Sequence, residues 1–441
     1  MYLADSRNGT ARDTAGAAAA APGSIRPGRR AAVPGTVLAL GAVSLITDVS
    51  AEMINAVLPL YVVTALGLSP LGFGLLDGIN NGVGALVRLA GGHLADGGGR
   101  RHKVVAGLGY GLSAVCKPLL LVAHGLPVIS AVLAADRTGK GLRTAPRDAM
   151  ISLATRPEHR GRAFGVHRAM DTTGALLGPL AAFAVLRATV DGYDAVFTVS
   201  GCVAALGVLV LVLFVPGRAG GTDAGPTAAR PALRDSLGLL RRPALRRLTL
   251  CAALLGLTTV SDSFLYLLLQ RELDVPAHLF PLLPLGTAAV FLLLAVPLGA
   301  LADRTGRRRL FLAGHGALLL AYGLVLSPLG GAPAVVAVLV LHGAFYAATD
   351  GVLAAATAGA VPAGHQGAGQ ALVGTGQALA RFVCSVAFGA AWSLWDGRAA
   401  LAVTAAGLAV GAVVAARVLR TAEAAPEGND DDRRTGDEVS G

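Results

Sequence analysis

Charge is scarce in this sequence. Only 15% of its 441 residues are Asp, Glu, Lys or Arg, against 54% that are hydrophobic, and mean hydropathy is +0.62. Soluble domains carry about 25% charge, so the deficit argues for an integral membrane protein. Cysteine is sparse too. Cys116, Cys202, Cys251 and Cys384 fall within apolar runs and none belongs to a CxxC pair, so neither a disulfide framework nor a zinc site is indicated. The four methionines add little for a soft metal, and no metal or other cofactor is expected. No GxxxxGK[ST] string occurs, which argues against ATP-driven transport. The net charge of +10 does not signal nucleic acid: the arginines cluster in short connections between apolar runs, as in cytoplasmic loops of membrane proteins.

What is plentiful is small and apolar. Glycine alone contributes 59 residues, and small residues let membrane helices approach closely. Apolar stretches of about twenty residues, the length a bilayer needs, recur near 36–62, 70–94, 104–123, 126–151, 162–187, 193–215, 246–270, 278–301, 309–329, 332–358, 367–391 and 397–418. The expected fold is therefore an all-α membrane protein of twelve transmembrane helices in two six-helix bundles, 36–215 and 246–418. Residues 216–245 read as a cytosolic linker, and 1–35 and 419–441 as disordered cytosolic tails. Lys and Arg crowd alternate connections (Arg100-Arg101-Lys103; Arg156, Arg160 and Arg162; Arg218 to Arg247; Arg304 and Arg307 to Arg309), which places both termini in the cytosol. A monomer in the cell membrane is expected, with the lipid bilayer and a small-molecule substrate as its partners.

The halves repeat. GHLADGGGRRHK at Gly92–Lys103 matches GALADRTGRRRL at Gly299–Leu310, with Asp96 and Asp303 207 residues apart. Arg156-Pro157 and Val361-Pro362 repeat at an offset of 205. Parallel repeats of six spans place a substrate site near mid-membrane, between the halves.

The little charge there is concentrates within the spans, where ionisable groups are costly and usually line an aqueous path. On the first span Asp48, Glu52 and Asn55 share a face, with Asp48 near the bilayer middle. The second carries Asp77, Asn80, Asn81 and Arg88. On the fourth, Asp136, Lys140, Arg143 and Arg147 form one stripe with Arg137 beside it, and the fifth adds His167, Arg168 and Asp171. Including Asp148, six acids and six bases suggest an internally neutral network. Asp48, Glu52 and Arg137 are candidates for proton coupling, the alternative for Asp48 being a fixed salt bridge to Arg137 or Lys140. Arg143, Arg147, Asp148, Arg168 and Asp171 suit a cytosolic gate of salt bridges, and His167 a hydrogen-bonded bystander. The second half is less charged, with Asp262 and Tyr266 at i and i+4, Tyr346 and Asp350 likewise, then Gln377 and Arg381. With Asn55, Asp77, Asn80, Asn81, Asp136 and Lys140 these are the candidate cavity residues; for the two i, i+4 pairs the alternative is a local hydrogen bond between helices. Trp392 and Trp395 suit interfacial anchors.

Twelve spans in two like halves, with G-x-L-A-D-x-x-G-R-R between the second and third, resemble the major facilitator superfamily over roughly residues 36–418. The resemblance implies its fold and a cytoplasmic latch at that loop. The second copy (Gly299, Asp303, Arg304, Gly306, Arg307, Arg308) is complete; the first keeps Asp96, Arg100 and Arg101 but has Gly97 where Arg is usual. Leu133, Arg137 and Gly141 resemble the family's fourth-span motif, whose Arg is linked to proton coupling. Gly174, Gly178 and Pro179 resemble its glycine-proline antiporter motif, with Ala182 and Phe183 in place of the closing glycines. In this fold spans one, four, seven and ten border the cavity. The expectation is a proton-coupled exporter of a small organic solute working by alternating access, and not an enzyme. Alternatives are a proton symporter importing an organic anion on Arg137 and Lys140, and a divalent-metal exporter using Asp48 and Glu52.

Overall fold

The computed structural model describes residues 33–94, 99–156, 159–189, 192–216, 238–362 and 366–423, and contains no strand among them. The first half comprises α1 (Gly35–Leu60), α2 (Pro70–Leu94), α3 (Gly99–Val122), α4 (Leu126–Leu153), α5 (Arg160–Ala188) and α6 (Gly192–Phe214). The second comprises α7 (Pro243–Gly256), α8 (Asp262–Glu272), α9 (Leu282–Thr305), α10 (Arg307–Leu326), α11 (Ala332–Gly359), α12 (Gln366–Leu394) and α13 (Gly397–Glu423). The bundle end at which α1 begins is called the near end, the opposite one the far end.

Among the described residues, nine helices are long and apolar enough to cross a membrane. Helices α2 and α4 and the α7–α8 pair fall outside that set, each for a reason visible in its residues. Helix α2 carries Asp77, Asn80 and Asn81 among its glycines, and α4 carries the ionic stripe. The seventh span, expected as one helix over 246–270, is instead broken at residues 257–261. Hydroxyls account for the break. Thr258 and Thr259 donate to the carbonyl of Leu255 at 3.1 and 2.8 Å, and Ser261 caps α8 by accepting from the Phe264 amide. The freed Val260 amide donates to the Tyr322 hydroxyl at 2.9 Å, so the unwound backbone keeps a partner inside the bundle.

The repeat extends into element boundaries. Helices α4 and α11 are both 28 residues long, and α5 and α12 both 29. Each second copy starts and ends 206 residues after its first (332 − 126 = 206; 366 − 160 = 206). Even the turns match: Gly125 and Gly331 have φ of 86° and 81°, a left-handed conformation that favours glycine, with proline two residues later starting α4 and α11.

Small residues set the packing. A Cβ on Gly174 would lie 2.4 Å from the Leu45 carbonyl oxygen, and one on Gly178 2.6 Å from the Glu52 Cβ, so α5 lies backbone-close on α1. The halves meet at the far end in the same way. There Gly74 of α2 sits under the Ser385 carbonyl and Gly389 of α12 under that of Pro70, with hypothetical Cβ contacts of 2.4 and 2.5 Å. Phe73 and Phe264 close this seam edge to face, ring centres 4.9 Å apart. Phe264 packs in turn on Phe388 and Trp392. Trp392 is thus a buried seam residue rather than the expected interfacial anchor; Trp395, 61% exposed, is free to serve as one.

Candidate functional site

Two cavities adjoin in the bundle: one of about 520 Å³ toward the near end, lined by the first half, and one of about 450 Å³ toward the far end, between the halves. They share Asn55, Asn80 and Asn81 as a common wall. Both volumes fall in the range of small-molecule sites, roughly 300–1,000 Å³.

The near cavity belongs to the first half. Asp48 of α1 is buried and accepts from Arg143 Nη2 at 3.1 Å, with Lys140 Nζ at 3.8 Å. Lys140 also lies 3.8 Å from Glu52, which accepts from Asn55 Nδ2 at 3.0 Å. Two carboxylates of α1 thus meet two cations of α4. Of the two salt bridges offered as the alternative for Asp48, the one to Lys140 is present and the one to Arg137 does not form. Arg137 donates instead to Asn55 Oδ1 at 2.7 Å and to Asn80 Oδ1, which places it in the wall between the cavities. Arg143, expected at the gate, takes its place because it stands nearly two turns further toward the near end and reaches across to Asp48.

Below this cluster Arg147 pairs with Asp148 at 3.0 Å and Asp171 at 3.7 Å, and donates to Ser44 Oγ. Arg168, largely exposed, lies 3.8 Å from Asp171. His167 shares Ser44 Oγ at 3.1 Å. The gate residues are therefore gathered at the near end of α4 and α5. Of the latch, Asp96 lies outside the described residues, as do the side chains of Arg100 and Arg101; so does that of Arg88 on the second span. In the second copy Asp303 and Arg307 form an exposed pair at 3.7 Å, Arg307 also donating to the Ala355 carbonyl. Arg304 is exposed and Arg308 half-buried beside them.

The far cavity joins the halves. Glu52, Asp77, Asp262, Asp350 and Arg381 line it, with Tyr266, Tyr346, Phe280 and Phe291 as its aromatic wall and residues 259–261 of the broken span as its edge. Asp262 opens α8, where the helix dipole favours a carboxylate, and accepts from the Tyr346 hydroxyl at 2.6 Å. His342, fully buried, brings Nε2 to 3.3 Å from the same oxygen but out of line for a hydrogen bond. Arg381 stands over the Tyr346 ring, 5.9 Å from its centre, with Nε lacking a partner among the described residues. Asp77 is buried and accepts from Ser385 Oγ of α12 at 2.7 Å, a hydrogen bond across the seam.

Two expected cavity residues lie elsewhere. Asp136 is buried against Lys117 Nζ at 2.9 Å, between α3 and α4. It is the residue before Arg137, about 100° round the helix, and so faces the neighbour rather than the opening. Gln377 lies one turn of α12 nearer the near end than Arg381, where α7 closes in; its backbone carbonyl oxygen would be 3.4 Å and its side-chain Cγ 3.7 Å from a Cβ on Gly256. The expected six-to-six neutral network is corrected accordingly. Asp77 stands outside it, bound by neutral donors, and Lys117 belongs to it. A lone lysine in an apolar span was the signal for Lys117; which helix it faces was not readable.

The family model described as Major Facilitator Superfamily matches residues 40–284 and 248–439. An uncharacterized MFS-type transporter of Methanocaldococcus jannaschii is 28% identical over 299 residues, 66% of this chain and 70% of that one. An uncharacterized protein of Mycobacterium tuberculosis is 36% identical over 176 residues, and that match spans 40% of each chain. Among solved structures, the nucleoside transporter NupG superposes with a TM-score of 0.74 at 13% identity, covering 87% of this chain and 99% of that one. The peptide transporter POT in complex with sulfate superposes at 0.71 and 15%, covering 89% and 95%. At such identities these structures establish the fold alone. With a family match over most of its length, a duplicated helical bundle and a polar opening between the halves, the chain belongs to the Major Facilitator Superfamily and is a membrane transporter.

Proposed function

We propose that the protein is a secondary active carrier that exports a small organic solute in exchange for protons by alternating access. Both termini then face the cytosol, the near cavity is the cytosolic vestibule, and the far-end seam is the closed outer door. The twelve-span count follows if α2, α4 and the α7–α8 pair cross with the nine apolar helices.

The observation that carries the reading is the cluster of Asp48, Glu52, Lys140 and Arg143. A carboxylate held by two cations ties α1 to α4 in one geometry. Protonation removes its charge, releases Arg143 and Lys140 from it, and makes the helix pair free to rearrange. Proton uptake is thereby coupled to movement at the wall of the cavity that holds the solute. Arg137, anchored to α1 through Asn55 and α2 through Asn80, reports that movement to the boundary between the cavities.

Everted vesicles from a host lacking its own pumps test this reading. A solute panel should show accumulation driven by an imposed pH gradient and abolished by an uncoupler. Asp48→Asn should retain expression and fold but lose pH-driven accumulation; full coupled activity in that variant would sink the role given to Asp48. A second reading, import of an organic anion by proton symport, draws on Arg137, which has no carboxylate within 4 Å among the described residues. It reverses the direction of movement in the same vesicles. The divalent-metal reading has weaker support, since among the described residues no three His, Cys, Asp or Glu cluster as a ligand set.

A further inference from the structure

The two cavities carry opposite charge, and the division follows the asparagine wall. On the near side Arg143 and Lys140 are engaged by Asp48 and Glu52, and Arg147 and Arg168 by Asp148 and Asp171. Arg137 is left, among the described residues, with amide oxygens as its hydrogen-bond partners. On the far side, where Glu52 is already paired with Lys140, Asp77, Asp262 and Asp350 face one permanent cation among the described lining residues, Arg381. Beside the His342 imidazole near Asp262, their described partners are neutral: the hydroxyls of Ser385 and Tyr346 and the amide of Asn81. The Asp262 side chain is 42% exposed and Asp350 is exposed, so both present their charge to the opening, and a solute that supplies the missing partners gains charge-assisted contacts there.

We infer that the transported solute is a zwitterion, bound across the asparagine wall with its acidic group on Arg137 and its amine toward Asp262 and Asp350. This rests on the carrier reading above and adds the substrate class. A simple anion would satisfy Arg137 but leave the far carboxylates in excess. A simple cation would do the reverse. The aromatic wall of Tyr266, Tyr346, Phe280 and Phe291 suits the amine end, because aromatic faces attract ammonium groups. The acid is a carboxylate or a phosphate, since a guanidinium fork accepts either.

Two matched sets of probes test the inference on the full-length protein: phenylalanine and alanyl-phenylalanine, each compared with its N-acetyl and carboxamide forms. Thermal-shift titration should show at least one free zwitterion binding, and each blocked form of it binding at least about tenfold more weakly, the loss of one charge-assisted contact. Arg137→Gln should erase the preference over the carboxamide, Arg137→Lys should keep part of it, and Asp262→Asn should erase the preference over the N-acetyl form. Equal binding of the N-acetyl form makes the site a plain anion site and overturns the inference. Equal binding of the carboxamide, or no binding by either zwitterion, also overturns it. Counterflow in proteoliposomes separates the two layers. Blocked forms that bind and move leave the carrier standing and the zwitterion refuted. Zwitterions that bind in the expected order and never move leave the charge assignment standing and the carrier refuted.

Discussion

The two halves follow one path with different chemistry. A step of 206 residues carries α4 onto α11 and α5 onto α12 without a residue to spare. It places Tyr346 where the first half has Lys140, Thr349 where it has Arg143, His342 where it has Asp136, and Gln377 where it has Asp171. Lys140 reaches two carboxylates on the first span; Tyr346 donates to one on the seventh. So the same helix pair is tied by ions in one half and by a neutral hydroxyl in the other. In the proposed mechanism the ionic tie is undone by a proton. The hydroxyl tie holds Asp262 while staying neutral itself, and the span it meets is already broken. In that mechanism, one scaffold thus separates a half that takes up the proton from a half that orients the solute.

The sharpest way to break this comparison is to truncate one equivalent position in each half. Arg143→Ala leaves Asp48 buried with a weaker counterion, a change that costs about 3–5 kcal/mol for a buried pair. A large fall in Tm of the purified protein is expected. The equivalent Thr349→Ala removes only a hydroxyl that bonds its own helix at Phe345, and should cost below about 1 kcal/mol. Equal losses at the two positions would mean that the ion pair carries no more of the first half than a hydroxyl carries of the second.

The seam between the halves comes next. Gly74→Leu forces a side chain against the Ser385 carbonyl, and overpacking of this kind costs about 1–3 kcal/mol. The strain exists only while the far end is closed, so the variant should populate the far-open state. Spin labels on the far ends of α2 and α12 would report the separation. Unchanged label distances with normal expression would show that the seam is not the door. Smaller again is Tyr346→Phe, which removes one hydrogen bond to Asp262. We expect a loss of about 1 kcal/mol in solute binding and intact proton coupling, the reverse of the pattern for Lys140→Met, which should lose coupling first.

Much of this arrangement was legible because membrane-embedded polarity is so rarely idle. Asp48, Glu52, Lys140, Asp77 and the three asparagines stood out against apolar runs, and all of them line an opening. The repeat was legible from two motifs, and element lengths then extended it. Rotational phase between helices was not legible. Spacing along α4 groups Asp136 with Lys140, but only the position of α3 reveals that Asp136 meets Lys117. The break at residues 257–261 was hidden for a related reason: Thr258, Thr259 and Ser261 are apolar enough in company to pass as span, and their hydroxyls act on backbone groups about one turn away. Trp392 looked like an anchor because it lies near a helix end, and became a seam residue because Phe264 of the broken span reaches it.

Gln377 offers the finest test of the comparison, because its equivalent in the first half, Asp171, works in the near-end ion cluster. Spacing on α12 puts Gln377 in line with Arg381 and hence in the cavity, whereas the folded bundle turns it to Gly256 of α7. Gln377→Leu keeps the bulk and removes only the amide. If the residue is packing, solute KM should change by less than about twofold, within the scatter of a surface substitution, and Tm should move slightly with it. Asp171→Asn, at the matched position, should instead alter the pH profile of transport, since it removes a carboxylate from Arg147 and Arg168. A KM effect at Gln377 as large as that at Arg381 would show that the C-terminal half lines the path with both residues, and that α12 turns during transport to present them in succession.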